Sequence, residues 1–221
     1  MLVIPAINRE NFEEAEEQIK LAAKILPAGE KWISVDVSDG RFSSRVTWSD
    51  SQKLWILLKE NKNLRDINFE IDLMVIDPEP RIKDWFIAGA KRISAPAETL
   101  LNPDYFLETA EKFEGQAMIS ISPDTPIENL LNLLRKFSYF HVFAVEPGPS
   151  GQKFLPAVLE KIKFLRQNFP NAIIEVDGGI TPETIKSAKE AGADIFTATS
   201  YIFENPDPET AYAELEQAAG S

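Results

Sequence analysis

The chain contains no cysteine, a single histidine (His141), and no apolar run of membrane-spanning length. Without cysteine, disulfides and thiolate metal sites are excluded, and no oxidising compartment is indicated. Positive charge is also scarce: 23 Lys and Arg face 35 Asp and Glu, for a net charge of -12. Such a surface cannot neutralise a phosphate backbone, so nucleic acid is not an expected partner, and a small anionic ligand must be held locally. The opening Met1-Leu2-Val3-Ile4-Pro5 is too short and too soon followed by charge to be a signal peptide. No membrane partner and a cytoplasmic location are therefore expected.

Short apolar runs alternate with stretches of helical periodicity along the whole chain, the pattern of successive βα units on a parallel sheet. Eight strands are expected, near Leu2 to Pro5, Trp32 to Val37, Ile67 to Met74, Arg92 to Ser94, Ala117 to Ile121, Tyr139 to Val145, Ala172 to Val176 and Asp194 to Ala198. Asn11 with Glu14 has capping-box spacing, and Phe12, Ala15, Ile19, Ala22 and Leu26 mark one apolar helical face. Thr125-Pro126 and Thr181-Pro182 each place a hydroxyl cap before a proline, and Gly192 is placed to end a helix. Leu155, Val158, Ile162 and Leu165 repeat the helical spacing again. No linker or charge block divides the chain, so residues 1–221 are read as one (β/α)8 TIM-barrel domain of the α/β class, with an open doubly wound sheet as the alternative.

In such a barrel the site lies at the carboxyl ends of the strands. Carboxylates collect there: Asp36 ends strand two, Asp72 lies late in strand three, and Asp177 ends strand seven. A carboxylate in an apolar strand is costly unless paired, metal-bound or neutralised, so three of them point to a shared site. Asp39-Gly40 reads equally well as turn chemistry. Two glycine-rich loops follow strands six and seven: Glu146-Pro147-Gly148-Pro149-Ser150-Gly151-Gln152 and Asp177-Gly178-Gly179. Both can present backbone N–H groups, and Gly178, Gly179, Thr199 and Ser200 are natural anion contacts. His141, early in strand six, reads as packing. Trp48 reads as core, with the alternative that it faces the pocket, and the Phe42 and Trp48 region is a candidate contact for a homo-oligomer.

The blocks Val35-Asp36-Val37 with Asp39-Gly40, Leu73-Met74, Val145-Glu146-Pro147-Gly148 with Gly151-Gln152-Lys153-Phe154, and Glu175-Val176-Asp177-Gly178-Gly179 resemble, in order, the motifs of the ribulose-phosphate 3-epimerase family. The resemblance runs through nearly the whole chain. It implies inversion at C3 of a ketopentose phosphate such as ribulose 5-phosphate, with Asp36 and Asp177 as the two acid/base carboxylates. It also implies a phosphate grip made by Gly148, Pro149, Ser150, Gly151, Gly178, Gly179, Thr199 and Ser200, with Met74 in the substrate site. The family's divalent metal is held by two histidines and two aspartates, and here the positions matching the histidines are Ser34 and Asp72. Ala6 stands in place of a serine and Thr199 in place of a glycine. What remains is an oxygen-only set of Asp36, Asp72 and Asp177 with Ser34 nearby, which favours Mg or Mn over Zn or Fe, or else no metal at all.

Three functions follow. The first is a phosphosugar epimerase or isomerase using Asp36 and Asp177. The second is a catalytically silent barrel that binds phosphosugar, a reading favoured by Ala6, Ser34 and Asp72. The third is a related decarboxylase or aldol synthase, whose Asp-x-Lys-x-x-Asp motif is matched in spacing by Asp72-Leu73-Met74-Val75-Ile76-Asp77, with Met74 in place of the lysine. Asp77 before Pro78 also reads as a helix N-cap.

Overall fold

Alternation along each strand sets the architecture. In β3 (Ile67–Met74), Phe69, Ile71 and Leu73 belong to one large hydrophobic cluster that also takes in the helices, whereas Glu70 and Asp72 are buried polar residues on the other face. The same division holds in β2 (Lys31–Ser38), where Ile33, Val35 and Val37 join that cluster and Ser34 and Asp36 do not. A period of two with both faces buried means one face under helices and the other inside a closed sheet.

The computed structural model, which describes residues 1–220, closes that sheet. Besides β2 and β3 it comprises β1 (Leu2–Ile7), β4 (Ala90–Pro96), β5 (Gln116–Ile121), β6 (Tyr139–Phe143), β7 (Ile173–Asp177) and β8 (Ile195–Ala198). All neighbours pair in parallel in chain order, and β1 pairs with β8 to complete a single eight-stranded barrel. The open-sheet alternative is thereby excluded.

The helices are α1 (Phe12–Ile25), α2 (Ser51–Glu60), α3 (Glu79–Ala88), α4 (Pro103–Lys112), α5 (Leu131–Leu134), α6 (Val158–Asn168), α7 (Pro182–Ala191), α8 (Ser200–Phe203) and α9 (Pro208–Gly220). Ala15, Ile19 and Ala22 of α1 are buried, and Asn11 Oδ1 accepts from the Glu14 amide at 2.9 Å. Thr181 and Thr184 form a reciprocal capping box on α7, which ends at Gly192 with φ 114°. Two expected caps are not made. The Thr125 hydroxyl donates instead to Glu98, and Asp77 reaches the exposed Arg41 at 3.3 Å while α3 starts without a side-chain cap. In both cases a partner on a neighbouring strand-end loop takes the group. Leu155 precedes α6 and is exposed; Val158, Ile162 and Leu165 form the buried face.

The barrel interior is layered. At the amino-terminal end Ile4, Trp32 and Ile195 form a small apolar floor. Above it Arg92 of β4 donates to Glu70 of β3 and lies 3.2 Å from Glu175 of β7. Since β4 and β7 are not neighbours, that second contact crosses the interior. The guanidinium also lies 4.3 Å from the Trp32 ring centroid, within cation–π range. Removing one partner of a buried ion pair strands the others, which costs about 3–5 kcal/mol. Arg92→Met is therefore expected to lower the unfolding free energy by about that amount, measured by urea denaturation. A loss within about 0.5 kcal/mol, the ordinary surface range, would contradict this account of the interior.

Candidate active site

The two carboxylates read as an acid/base pair arrive at one mouth because β2 and β7 both end there. Asp36 is 6% exposed, and the Asp177 side chain, at 16%, is open to the cavity at the carboxyl end of the barrel. That cavity is lined by both aspartates, by Met74, by the loop Gly148, Pro149, Ser150 and Gly151, and by Gly178, Gly179, Thr199 and Ser200. Every residue expected to touch substrate or phosphate thus borders one pocket. Asp72 and Ser34 lie deeper, with 1% exposure each.

The glycines here are dictated by close approach. Gly179 has φ 62°, and a Cβ on it would stand 2.3 Å from the Phe154 amide nitrogen. A Cβ on Gly178 would strike Val145 at 2.4 Å. No side chain fits at either position without displacing the loop after β6. Gln152 braces that loop by donating to the Glu146 and Pro149 carbonyls at 2.7 and 2.8 Å. Asp39 is turn chemistry, accepting from the Arg41 and Phe42 amides at 2.8 and 3.0 Å beside Gly40 at φ 71°.

Asn8 is a site residue that the sequence reading missed. It follows β1, donates to Asp36 Oδ2 at 2.7 Å and to the Gly148 carbonyl at 3.1 Å, and so ties a carboxylate to the loop after β6. Its signal was its place: a polar residue directly after an apolar strand.

His141 requires a correction. It is not apolar packing. Its Nδ1 lies 3.1 Å from Glu175 Oε1 and its Nε2 3.9 Å from Asp177 Oδ2, inside the barrel and 1% exposed. Neither nitrogen has the alignment of a hydrogen bond in these contacts. The cause is register: His141 pairs with Glu175 across β6 and β7, and the alternation of β6 turns residues 141 and 143 inward. Trp48, by contrast, is core. It packs 5.0 Å from Phe12 and 6.0 Å from Trp85 and does not line the pocket, and its burial removes it from the expected oligomer contact.

Crowded carboxylates shift one another. Burial, reinforced by repulsion from Asp72, raises Asp36 to about 7 against the hydrogen bond from Asn8. Burial and then Asp36 hold Asp177 well above the usual carboxylate range, and burial also raises Asp72. Burial raises Glu70 to about 8, while in Glu175 it is outweighed by Arg92 and His141, which bring that group to about 2. Burial disfavours a charged His141, yet Asp72, Glu175 and Asp177 together raise it to about 10. Two sets of ligand atoms lie within 4.8 Å of one another: Asp72, His141 and Asp177, and below them Glu70, His141 and Glu175. Asp36 belongs to neither set.

Comparison with known proteins now decides the family. Residues 2–203 match the model of the ribulose-phosphate 3 epimerase family. The chain belongs to this family. Among relatives, the ribulose-phosphate 3-epimerase of Mycobacterium bovis is 32% identical over 224 residues, covering 100% of this chain and 93% of that protein. That of Schizosaccharomyces pombe is 29% identical, covering 98% and 92%. Among solved structures, 3-hexulose-6-phosphate synthase from Salmonella typhimurium superposes with a TM-score of 0.75 at 16% identity, covering 99% of this chain and 98% of that one. KGPDC from Streptococcus mutans in complex with D-R5P gives 0.73 at 14%, covering 99% and 96%. At such identities the likeness is one of fold, so the barrel is shared with synthases and decarboxylases while the sequence relationship is with the epimerases.

The shifts fix a stability profile for protein held in chelator. Asp36, Glu70 and His141 all bind protons more tightly folded than unfolded, with ordinary values of 3.8, 4.5 and 6.5 moving to about 7, 8 and 10. Each contribution is present below the unfolded value and is lost as pH rises to the folded one. Glu175 acts oppositely, and only in the acid window from 4.5 down to about 2. The melting temperature is therefore expected to fall continuously from about pH 5 to about pH 9. A flat or rising profile by scanning calorimetry would contradict the charge assignment.

Proposed function

We propose that this chain is a phosphosugar 3-epimerase that inverts C3 of a ketopentose phosphate such as ribulose 5-phosphate, with Asp36 and Asp177 as the proton-transfer pair. The observation that carries the reading is the pairing itself: two aspartates from β2 and β7, facing one pocket, with proton affinities raised by burial and by neighbouring carboxylates, Asp72 beside Asp36 and Asp36 beside Asp177. Neighbouring carboxylates so placed share protons, so one is ionised while the other holds a proton near neutrality. The ionised partner removes the C3 proton. The protonated partner returns one to the opposite face of the planar enediolate, leaving the two aspartates with exchanged roles. Asn8 fixes one oxygen of Asp36 and so sets the line of approach.

Phosphate is held by backbone amides of the loops after β6, β7 and β8, from Gly148, Pro149, Ser150 and Gly151 to Gly178, Gly179, Thr199 and Ser200, where close-packed glycines bring the chain within reach of an anion. Pro149, lacking an amide hydrogen, shapes the loop rather than donating. Met74 supplies an apolar wall.

The residues fit a divalent metal. Asp72 Oδ2 is buried without a hydrogen-bond partner, and Asp36, Asp72 and Asp177 crowd negative charge around it, while Ser34, also unpartnered, pairs in register with Glu70 one layer below. Asp72 and Asp177 would hold the metal, while Asp36, expected in the same set, stands outside that cluster. When bound it would act as a Lewis acid toward the enediolate oxygens. The decarboxylase and synthase reading is disfavoured, because no lysine lines the pocket and Met74 occupies the lysine position of that motif.

Asp36→Asn and Asp177→Asn should each lower conversion of ribulose 5-phosphate to xylulose 5-phosphate by about 10²–10⁴-fold, while the dissociation constant for the sugar phosphate changes little. A coupled assay and calorimetry read the two. Loss of turnover in neither variant would refute the acid/base assignment, and binding without turnover in the unmutated protein would identify the chain as a silent binder.

A further inference from the structure

We infer that His141 of β6, together with Asp72 of β3 and Asp177 of β7, forms a nitrogen-bearing divalent-metal site, so that the centre takes Mn, Co or Zn in preference to Mg. The inference rests on the metal-competent reading given above, and is independent of whether the chain turns over a sugar. It differs from the two-histidine arrangement that the family resemblance implies, since Ser34 and Asp72 stand at those positions and the histidine here comes from a different strand.

The first support is that Asp72 and His141 each keep a buried ligand atom without a hydrogen-bond partner. Asp72 Oδ1 accepts from the Ser94 hydroxyl, whereas Asp72 Oδ2 is buried with no partner. His141 Nδ1 rests 3.1 Å from Glu175 Oε1, whereas Nε2 is buried with no hydrogen-bond partner, 3.9 Å from Asp177 Oδ2. A polar atom left open in a buried site calls for a partner that is not protein. Ligand atoms of the three residues fall within 4.8 Å of one another. Bonds of about 2.1 Å would require them to close by only a small rotamer adjustment.

The second support is the surroundings of His141. Metal-binding histidines usually present their remote nitrogen to a carboxylate, which fixes the tautomer and raises the ligand's basicity. Glu175 stands 3.1 Å from that nitrogen, close enough to take this place by a small ring rotation, and it is itself held by the Thr197 hydroxyl at 2.8 Å and by Arg92 at 3.2 Å. The lower set, Glu70, His141 and Glu175, is close enough for a cation but already contains one: the Arg92 guanidinium pairs with both of its glutamates. The upper set has no such group, and it opens through Asp177 to the pocket, which supplies an entry path and free coordination positions. An imidazole nitrogen moves the preference of an otherwise oxygen-only set from Mg toward the first-row transition metals and zinc.

The test uses the full chain, stripped with chelator and then dialysed against Mn. The expected result is one Mn per chain by elemental analysis, with pulsed electron paramagnetic resonance showing the ¹⁴N coupling of a single imidazole, a readout that needs no variant and no turnover. His141→Gln should abolish the coupling and weaken Mn at least tenfold. Glu175→Gln, one step removed, should weaken it by roughly 10–100-fold while keeping the coupling, and circular dichroism reports whether each variant is folded. Mn bound without ¹⁴N coupling would overturn this assignment and leave the oxygen-only centre standing. Failure of Mn, Co, Zn and Mg all to bind would overturn both centres.

Discussion

Asp36, Glu70, Asp72, Glu175 and Asp177 all stand inside the barrel, and the groups that meet them there as cations are Arg92 and, when protonated, His141. Several buried carboxylates answered by so few cations cannot all be ionised, because the cost of desolvating each charge is recovered only where a partner lies within contact distance. The layers of the interior resolve this differently. In the lower layer Arg92 bridges Glu70 and Glu175, although Glu70 Oε1 keeps no hydrogen-bond partner. Among the described residues, the side chains of Asp36, Asp72 and Asp177 in the upper layer are met only by hydrogen bonds from Asn8 and Ser94 and by the edge of His141. The missing positive charge must be supplied by protons, by a metal ion, or by both in turn.

That imbalance links stability to chemistry. Carboxylates that prefer to keep a proton near neutral pH are poor structural anchors, yet they are suited to exchange protons with carbon. Two of the carboxylates that weaken the barrel as pH rises, Asp36 and Asp177, border the pocket. The apolar floor of Ile4, Trp32 and Ile195 and the Arg92 bridge then act as the rigid base on which the upper layer can remain incompletely satisfied.

Much of this was legible in the amino-acid order. Alternation of apolar strands with capped helices pointed to the barrel but left an open sheet as the alternative until β1 was seen to pair with β8, and Asp36, Asp177 and the glycine loops could be placed at its mouth because strand ends in this architecture converge. His141 was not legible as a polar site residue because its neighbours Phe140, Val142 and Phe143 hide the period of two in an apolar run. The Arg92 bridge depends on contacts across β3, β4 and β7 that exist only once the barrel closes in one register. Asn8 was overlooked because β1 extends to Ile7, beyond its expected end at Pro5, which brings the next residue to the rim. Thr125 and Asp77 have the spacing of caps, but partners from adjacent loops took them, a competition that local patterns do not record.

The central claim is that the upper carboxylates exchange protons with C3 of a bound sugar phosphate, and solvent isotope incorporation tests it most directly. Ribulose 5-phosphate would be incubated with the protein in heavy water, with Mn or Mg and in chelator, and followed by nuclear magnetic resonance. The account predicts deuterium at C3 of the xylulose 5-phosphate formed. Undeuterated ribulose 5-phosphate recovered under every condition, from protein that demonstrably binds it, would contradict the account and leave a barrel that holds a sugar phosphate without acting on it.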